Sequence, residues 1–121
     1  MALVLVVDDE PDIRLIARVV LTSAGHEVVE AASGEDALEL LDERRPDAVL
    51  LDVRMPGMDG WQVLDRVRRQ GPLPVVIFTA NLSARSEAPG EWQEYEHLLV
   101  KPFSPDQLLH AVESAMASTA R

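Results

Sequence analysis

Leu3 to Val7 reads Leu-Val-Leu-Val-Val and then stops at Asp8, Asp9, Glu10 and Pro11. A strand with one wet face alternates apolar and polar residues. A run that is apolar at every position is buried on both faces. The pattern recurs along the chain. Ala48 to Leu51 is a second such run, ended by Asp52, and Leu73 to Phe78 is another, ended by Thr79, with Pro74 near its start. Shorter strands are expected at Glu27–Ala31 and His97–Val100, the latter followed by Lys101-Pro102-Phe103. Strands buried on both faces, when joined by helical crossovers, mean a parallel sheet with helices on both sides.

The intervening segments carry the helical period. Asp12 to Ala24 places Ile13, Ile16, Ala17, Val20 and Leu21 on one face, with Pro11 in the first turn and Gly25 as the stop. Ser33 caps a helix from Gly34 to about Glu43, with Ala37, Leu38 and Leu41 inward. After the turn-rich Met55–Gly60 loop, Asp59 caps a helix to about Arg69, with Val63, Leu64 and Val67 inward. The stretch from 80 to 96 is irregular, interrupted by Pro89-Gly90, with a short helix on either side at most. Ser104 caps the last helix, with Pro105 at its first position and Leu108, Leu109, Val112 and Met116 inward. The unit βα therefore repeats five times. This predicts an α/β fold, a doubly wound (βα)5 five-stranded parallel sheet in the order 2-1-3-4-5. The 121 residues suit a single domain, 1–121, with its core over about 3–116 and 117–121 as a tail or the root of a linker.

Charge limits the partners. Asp plus Glu number 21 against 11 Lys plus Arg, a net charge of -10, which repels nucleic acid and anionic membrane. Lys101 is the only lysine; every other basic residue is Arg. A lysine kept against that bias suggests a need for its compact, mobile ammonium. With no cysteine, thiolate chemistry and cysteine-held metal clusters are excluded. No apolar run reaches the ~18 residues of a membrane span, and no basic leader precedes the first strand, so a cytoplasmic protein is expected. Neither Gly-rich nucleotide-binding fingerprint is present.

In such a sheet the functional crevice lies beyond the carboxyl ends of the strands. Strand one delivers Asp8 and Asp9 there, strand three Asp52, strand four Thr79 and strand five Lys101. Converging carboxylates repel one another and call for a cation. An oxygen-only donor set suits Mg²⁺, with Mn²⁺ as a substitute. Acids, an ammonium and a hydroxyl around such an ion form a phosphoryl-transfer arrangement. With no cysteine and no histidine ending a strand at that crevice, Asp52 is the candidate nucleophile, giving an acyl phosphate.

These residues resemble the receiver domain of two-component response regulators over nearly the whole chain. The motifs are Asp8-Asp9, Asp52 ahead of Met55-Pro56-Gly57-Met58-Asp59-Gly60, Thr79-Ala80, and Lys101-Pro102-Phe103. The resemblance implies a flavodoxin-like fold in which Asp52 takes a phosphoryl group from the phosphohistidine of a sensor histidine kinase or phosphotransfer protein. It implies Asp9 as the main acidic magnesium ligand, Asp8 as its neighbour acting partly through water, and Asp52 with the Arg54 backbone carbonyl completing the protein's share. It implies that Thr79 and Lys101 engage the phosphoryl oxygens, that the Lys101-Pro102 bond is cis, and that the domain hydrolyses its own acyl phosphate. Phosphorylation then shifts a population between two states and switches contacts with a second copy or a downstream protein.

The chain departs from that pattern three before the lysine, where Leu98 replaces the usual aromatic. The output is therefore expected to run through a surface of Leu98, Trp92 and Tyr95, or else the two rings pack down on the sheet edge. The resemblance places Arg54, two after Asp52, and Asn81, two after Thr79, beside the family's water path to the phosphoacceptor. His26 is expected in a solvated turn, His97 and His110 in structural or exposed roles, and Arg66, Arg68 and Arg69 on a solvated helix face. Two other functions compete. A phosphate-independent protein-binding module of the same fold would not need the five retained site residues. A magnesium-dependent phosphatase would want an acid two after Asp52, where this chain has Arg54.

Overall fold

The computed structural model describes residues 2–54, 60–79 and 90–119. Five parallel strands, β1 (Leu3–Val7), β2 (Glu27–Ala31), β3 (Ala48–Asp52), β4 (Val75–Thr79) and β5 (Glu96–Val100), lie in the order β2-β1-β3-β4-β5. Helices α1 (Pro11–Ser23), α2 (Gly34–Glu43), α3 (Gly60–Arg69) and α4 (Pro105–Thr119) join or follow them. The predicted strand order is the observed one. The expected helix before Pro89 and the cap assigned to Asp59 lie outside the described residues, whereas the expected helix after Gly90 does not form: 91–93 carry no regular structure, 94–95 make a turn and β5 begins at Glu96.

Period-two alternation divides the three central strands between two cores. Val4, Val6, Ala48, Leu50, Val76 and Phe78 pack with Ala17 and Leu21 of α1 and Leu108, Val112 and Ala115 of α4. Leu5, Val7, Val49, Leu51, Val75 and Ile77 pack with Ala37 and Leu41 of α2 and Val63, Leu64 and Val67 of α3. This is why the runs are apolar at every position: each residue faces one core or the other. Deleting a fully buried leucine such as Leu50 from this packing costs about 2–5 kcal/mol.

Several element ends differ from the sequence reading. β4 begins at Val75, since Pro74 has no N–H to give to the ladder; its carbonyl accepts from Val49 N at 2.9 Å instead. β5 begins one residue early, at Glu96, whose charge hid it as a strand residue. α4 continues to Thr119, three residues past the expected core limit near Met116. Its start is a reciprocal capping box: Gln107 N donates to Ser104 Oγ at 3.1 Å and Ser104 N to Gln107 Oε1 at 2.8 Å. Gly60 opens α3 in close contact with the end of β3. A Cβ there would collide with the Val53 Cα and the Asp52 carbonyl, so only glycine lets the helix approach the strand that carries Asp52.

Candidate functional site

The parallel register brings the carboxyl ends of β1, β3, β4 and β5 level. Asp8 follows β1 and is fully buried, its N–H extending the ladder to the Ala31 carbonyl at 3.1 Å. Asp52 is the last residue of β3 and 3% exposed. It continues the alternation of Ala48 and Leu50, and Lys101 that of Leu99, so both lean to the α1/α4 side. Thr79 ends β4, is buried, and accepts the Lys101 N–H at its carbonyl, 2.7 Å away. The Lys101-Pro102 peptide is cis.

One ammonium serves three acids. Lys101 Nζ lies 3.3 Å from Asp8 Oδ2, 3.4 Å from Asp52 Oδ2 and 3.6 Å from Glu10 Oε1. It also sits 5.0 Å above the Phe78 ring, which is braced edge-on by Phe103 at a centroid distance of 6.0 Å. The backbone orients the other carboxylate oxygens: Glu10 N donates to Asp8 Oδ1 at 2.8 Å and Arg54 N to Asp52 Oδ1 at 2.9 Å. Asp8, Asp9, Glu10 and Asp52 each bring a carboxylate oxygen within 4.8 Å of the others. Hard oxygen donors at that spacing, with an excess of negative charge, fit a divalent magnesium-sized cation.

The electrostatics follow from burial. Removal from water pushes the Asp8 carboxyl up to about 6. The Glu10 N–H pulls it back, Asp52 pushes it further up, and Lys101 opposes. For Lys101, burial works against the charged form, but Asp52, Asp8 and Glu10 outweigh it and the net shift is upward.

Asp8, Asp9, Asp52 and Lys101 are thus brought together, with Thr79 at the neighbouring strand end. Arg54 adds its backbone N–H while its side chain is exposed. Asn81 lies outside the described residues. Leu98, Trp92 and Tyr95 are elsewhere. Leu98, paired with Ile77, and Trp92 pack half-buried against the α2/α3-side core. Tyr95 sits at the amino end of the sheet, its carbonyl accepting from Val75 N at 2.9 Å. Sequence reasoning missed Glu10 in the acid cluster and Phe78 beneath the lysine. Glu10 was signalled only by adjacency to Asp9, and Phe78 by lying one before Thr79 with the parity of the α1/α4 core.

Two background expectations change. Arg68 is not on a solvated face: its guanidinium grips buried Glu96. His26 is largely buried, its Nδ1 accepting from Ala2 N at 3.2 Å and its Nε2 lying 3.4 Å from Glu113.

Comparison with known proteins agrees with this geometry. The family described as the response regulator receiver domain matches residues 4–113. A probable transcriptional regulator, ycf27, from Cyanophora paradoxa is 38% identical over 116 residues, 96% of this chain and 48% of that protein. The chain spans half or less of the length of the curated relatives it matches. Chemotaxis protein CheY4 of Vibrio cholerae superposes with a TM-score of 0.86 at 36% identity, covering 95% of this chain and 98% of that one. Response regulator protein TrrA of Thermotoga maritima, solved in complex with Mg²⁺–BeF, superposes with a TM-score of 0.82 at 33% identity, covering 95% and 99%.

Proposed function

The chain belongs to the response regulator receiver family, and from that premise we propose that Asp52 is a phosphoacceptor loaded from the phosphohistidine of a sensor histidine kinase or phosphotransfer protein. The observation that carries this is the setting of Asp52: a buried carboxylate on the central strand, one oxygen held by the Arg54 N–H and the other facing Lys101. A fixed, desolvated carboxylate with an ammonium alongside is poised for in-line attack. A carboxylate oxygen of Asp52 bonds to phosphorus as the phosphorus–nitrogen bond breaks, and the electron pair returns to the imidazole. Lys101 stays charged, since its net shift is upward, and it follows the negative charge from the Asp52 carboxylate to a phosphoryl oxygen. Thr79 supplies a hydroxyl to another oxygen.

Asp9, Asp8, Asp52 and the Arg54 carbonyl would hold Mg²⁺, with Mn²⁺ as a substitute; the clustering of the three aspartates supports a cation there, and the Mg²⁺–BeF complex of the similar Thermotoga maritima protein supports magnesium as the ion. Bound there, the ion supplies neutralisation of charge on the phosphoryl oxygens. We assign the output to the surface of Leu98, Trp92 and Tyr95, whose contacts with a second copy or a downstream protein would change on phosphorylation. Among the described residues no helix is long and apolar enough to cross a membrane, in keeping with the cytoplasmic setting of a phosphorelay.

The test is phosphoryl incorporation into the purified chain. With a small acyl phosphate donor and Mg²⁺, intact mass should rise by one phosphoryl group, and Asp52→Asn or EDTA should abolish the gain. A folded chain that gains nothing from small donors or from histidine kinases would instead be the phosphate-independent binding module.

A further inference from the structure

Arg14 of α1 is not among the site's acids or cations, yet it touches the backbone that carries them. Its Nη1 donates to the Asp8 carbonyl at 2.7 Å. That carbonyl lies one residue beyond the end of β1, where Val7 makes the last strand pairing. Its hydrogen bond to Arg14 comes from across the β1–α1 connection. The guanidinium is itself held: its Nε donates to Glu30 Oε1 on β2 at 3.2 Å, and Arg18 Nε, one turn on along α1, takes Glu30 Oε2 at 2.6 Å. Glu30 shares the face of Val28 on β2, so the two arginines close over it from α1.

We propose that Arg14 is a positioning residue for the cation site: by fixing the Asp8 carbonyl it fixes the Asp8–Asp9 peptide and so the direction in which the Asp9 carboxylate is presented. Two restraints meet on Asp8. The Glu10 N–H holds its side chain at 2.8 Å, and Arg14 holds its carbonyl. Without the second, the Asp8–Asp9 peptide can rotate, and the exposed Asp9 loses its aim. Glu30 sets the guanidinium plane, and Arg18 shares Glu30 without reaching Asp8. The further bond Arg18 makes is a long one to the Val28 carbonyl, at 3.5 Å. This rests on the assignment of Mg²⁺ to the acid cluster, and the test separates the two.

Mg²⁺ binding to the full chain is measured by calorimetry, with thermal midpoints recorded beside it, for wild type, Arg14→Gln, Arg18→Gln and Asp9→Asn. Arg14→Gln is expected to weaken Mg²⁺ about tenfold, the lower end of what loss of an outer-sphere partner costs a metal site. Arg18→Gln loses a comparable bond to the same glutamate and should lower the midpoint similarly while leaving Mg²⁺ affinity unchanged. Equal Mg²⁺ affinities for the two arginine variants would overturn the positioning role and leave only a structural α1–β2 clasp. A wild type that binds no Mg²⁺, or an Asp9→Asn variant that binds it normally, would overturn the site assignment itself and the positioning role with it. Should Arg14→Gln not fold, Glu30→Gln, which keeps the Arg14 donor but releases its orientation, should weaken Mg²⁺ in the same direction, and unchanged affinity there would equally sink the proposal.

Discussion

Glu96, at the amino end of β5, and Asp8, just past the carboxyl end of β1, are both buried carboxylates with opposite surroundings. Glu96, its side chain 1% exposed, receives Arg68 Nε at 2.9 Å, Arg68 Nη2 at 2.7 Å and Gln93 N at 3.0 Å. Its charge is matched one to one by a bidentate guanidinium, and the hydrogen bond to Glu96 is the main reason the Arg68 proton is held more tightly than usual. Asp8 has one N–H and a share of a single ammonium that Asp52 and Glu10 also claim. Burial raises its proton affinity, and the shared ammonium only partly opposes it. One end of the sheet is electrically closed. Among the described residues the other keeps a negative excess that a cation from solution can settle, and that end is where the chemistry is assigned.

The sharpest way to break the comparison is to open the closed end. Arg68→Met keeps much of the side chain's apolar bulk but strands Glu96 in the interior. Removing one partner of a buried pair typically costs about 3–5 kcal/mol, a large share of a domain's stability. Urea unfolding should show that loss. The double variant Arg68→Met with Glu96→Gln should recover part of it, since the stranded charge is gone. A single variant as stable as wild type would mean that Glu96 reaches water and that the closed end is not closed.

The open end should respond in the other direction. Between 3.8, the ordinary carboxyl value, and about 6, folded Asp8 holds a proton that the unfolded chain has released. The folded state binds more protons there, so unfolding free energy falls as pH rises through that window. The contribution is fully present below 3.8 and lost above about 6. In EDTA, Asp8→Asn should therefore be more stable than wild type at pH 8 and no more stable at pH 4. The gain at pH 8 should be about 1–3 kcal/mol, since each tenfold change in proton affinity is worth about 1.4 kcal/mol. Denaturation curves across that range check it. A wild-type slope that survives unchanged in Asp8→Asn would show that the pH response belongs to other acids. Mg²⁺ should stabilise wild type by filling the deficit, and stabilise Asp8→Asn less.

The same contrast explains what was legible in the sequence. β1 and β3 announce themselves because both faces are apolar, and the acids that end them stand out against that background; strand order and the convergence of Asp8, Asp52, Thr79 and Lys101 follow. Glu96 could not be read as a strand residue, because its partner Arg68 lies 28 positions earlier on α3, where Arg66, Arg68 and Arg69 look like one wet face. Only the fold distinguishes them: Arg68 pairs with the buried Glu96, while Arg66 and Arg69 pair with exposed Asp42 and Asp65. Arg14 was invisible for a related reason, since its acceptor is a backbone carbonyl and leaves no mark in composition. His26 was read as solvated because its turn is polar, whereas contacts from the chain's start and from α4 cover it. What the sequence hides here is pairing across elements, not the elements themselves.

The smallest effect sharpens the comparison most. Glu10 belongs to the same acid cluster and faces the same ammonium, 3.6 Å away, but its side chain is 60% exposed. If the negative excess were costly simply by count, Glu10→Gln would relieve it as well as Asp8→Asn does. Solvent screening argues otherwise: a water-exposed charge beside Lys101 is worth within about 0.5 kcal/mol in either direction, because water already compensates it. Glu10→Gln in EDTA at pH 8 should therefore unfold within that margin of wild type, and raising the salt should shrink even that difference. A gain equal to that of Asp8→Asn would make the number of carboxylates, and not the burial of one of them, the source of the open end's instability.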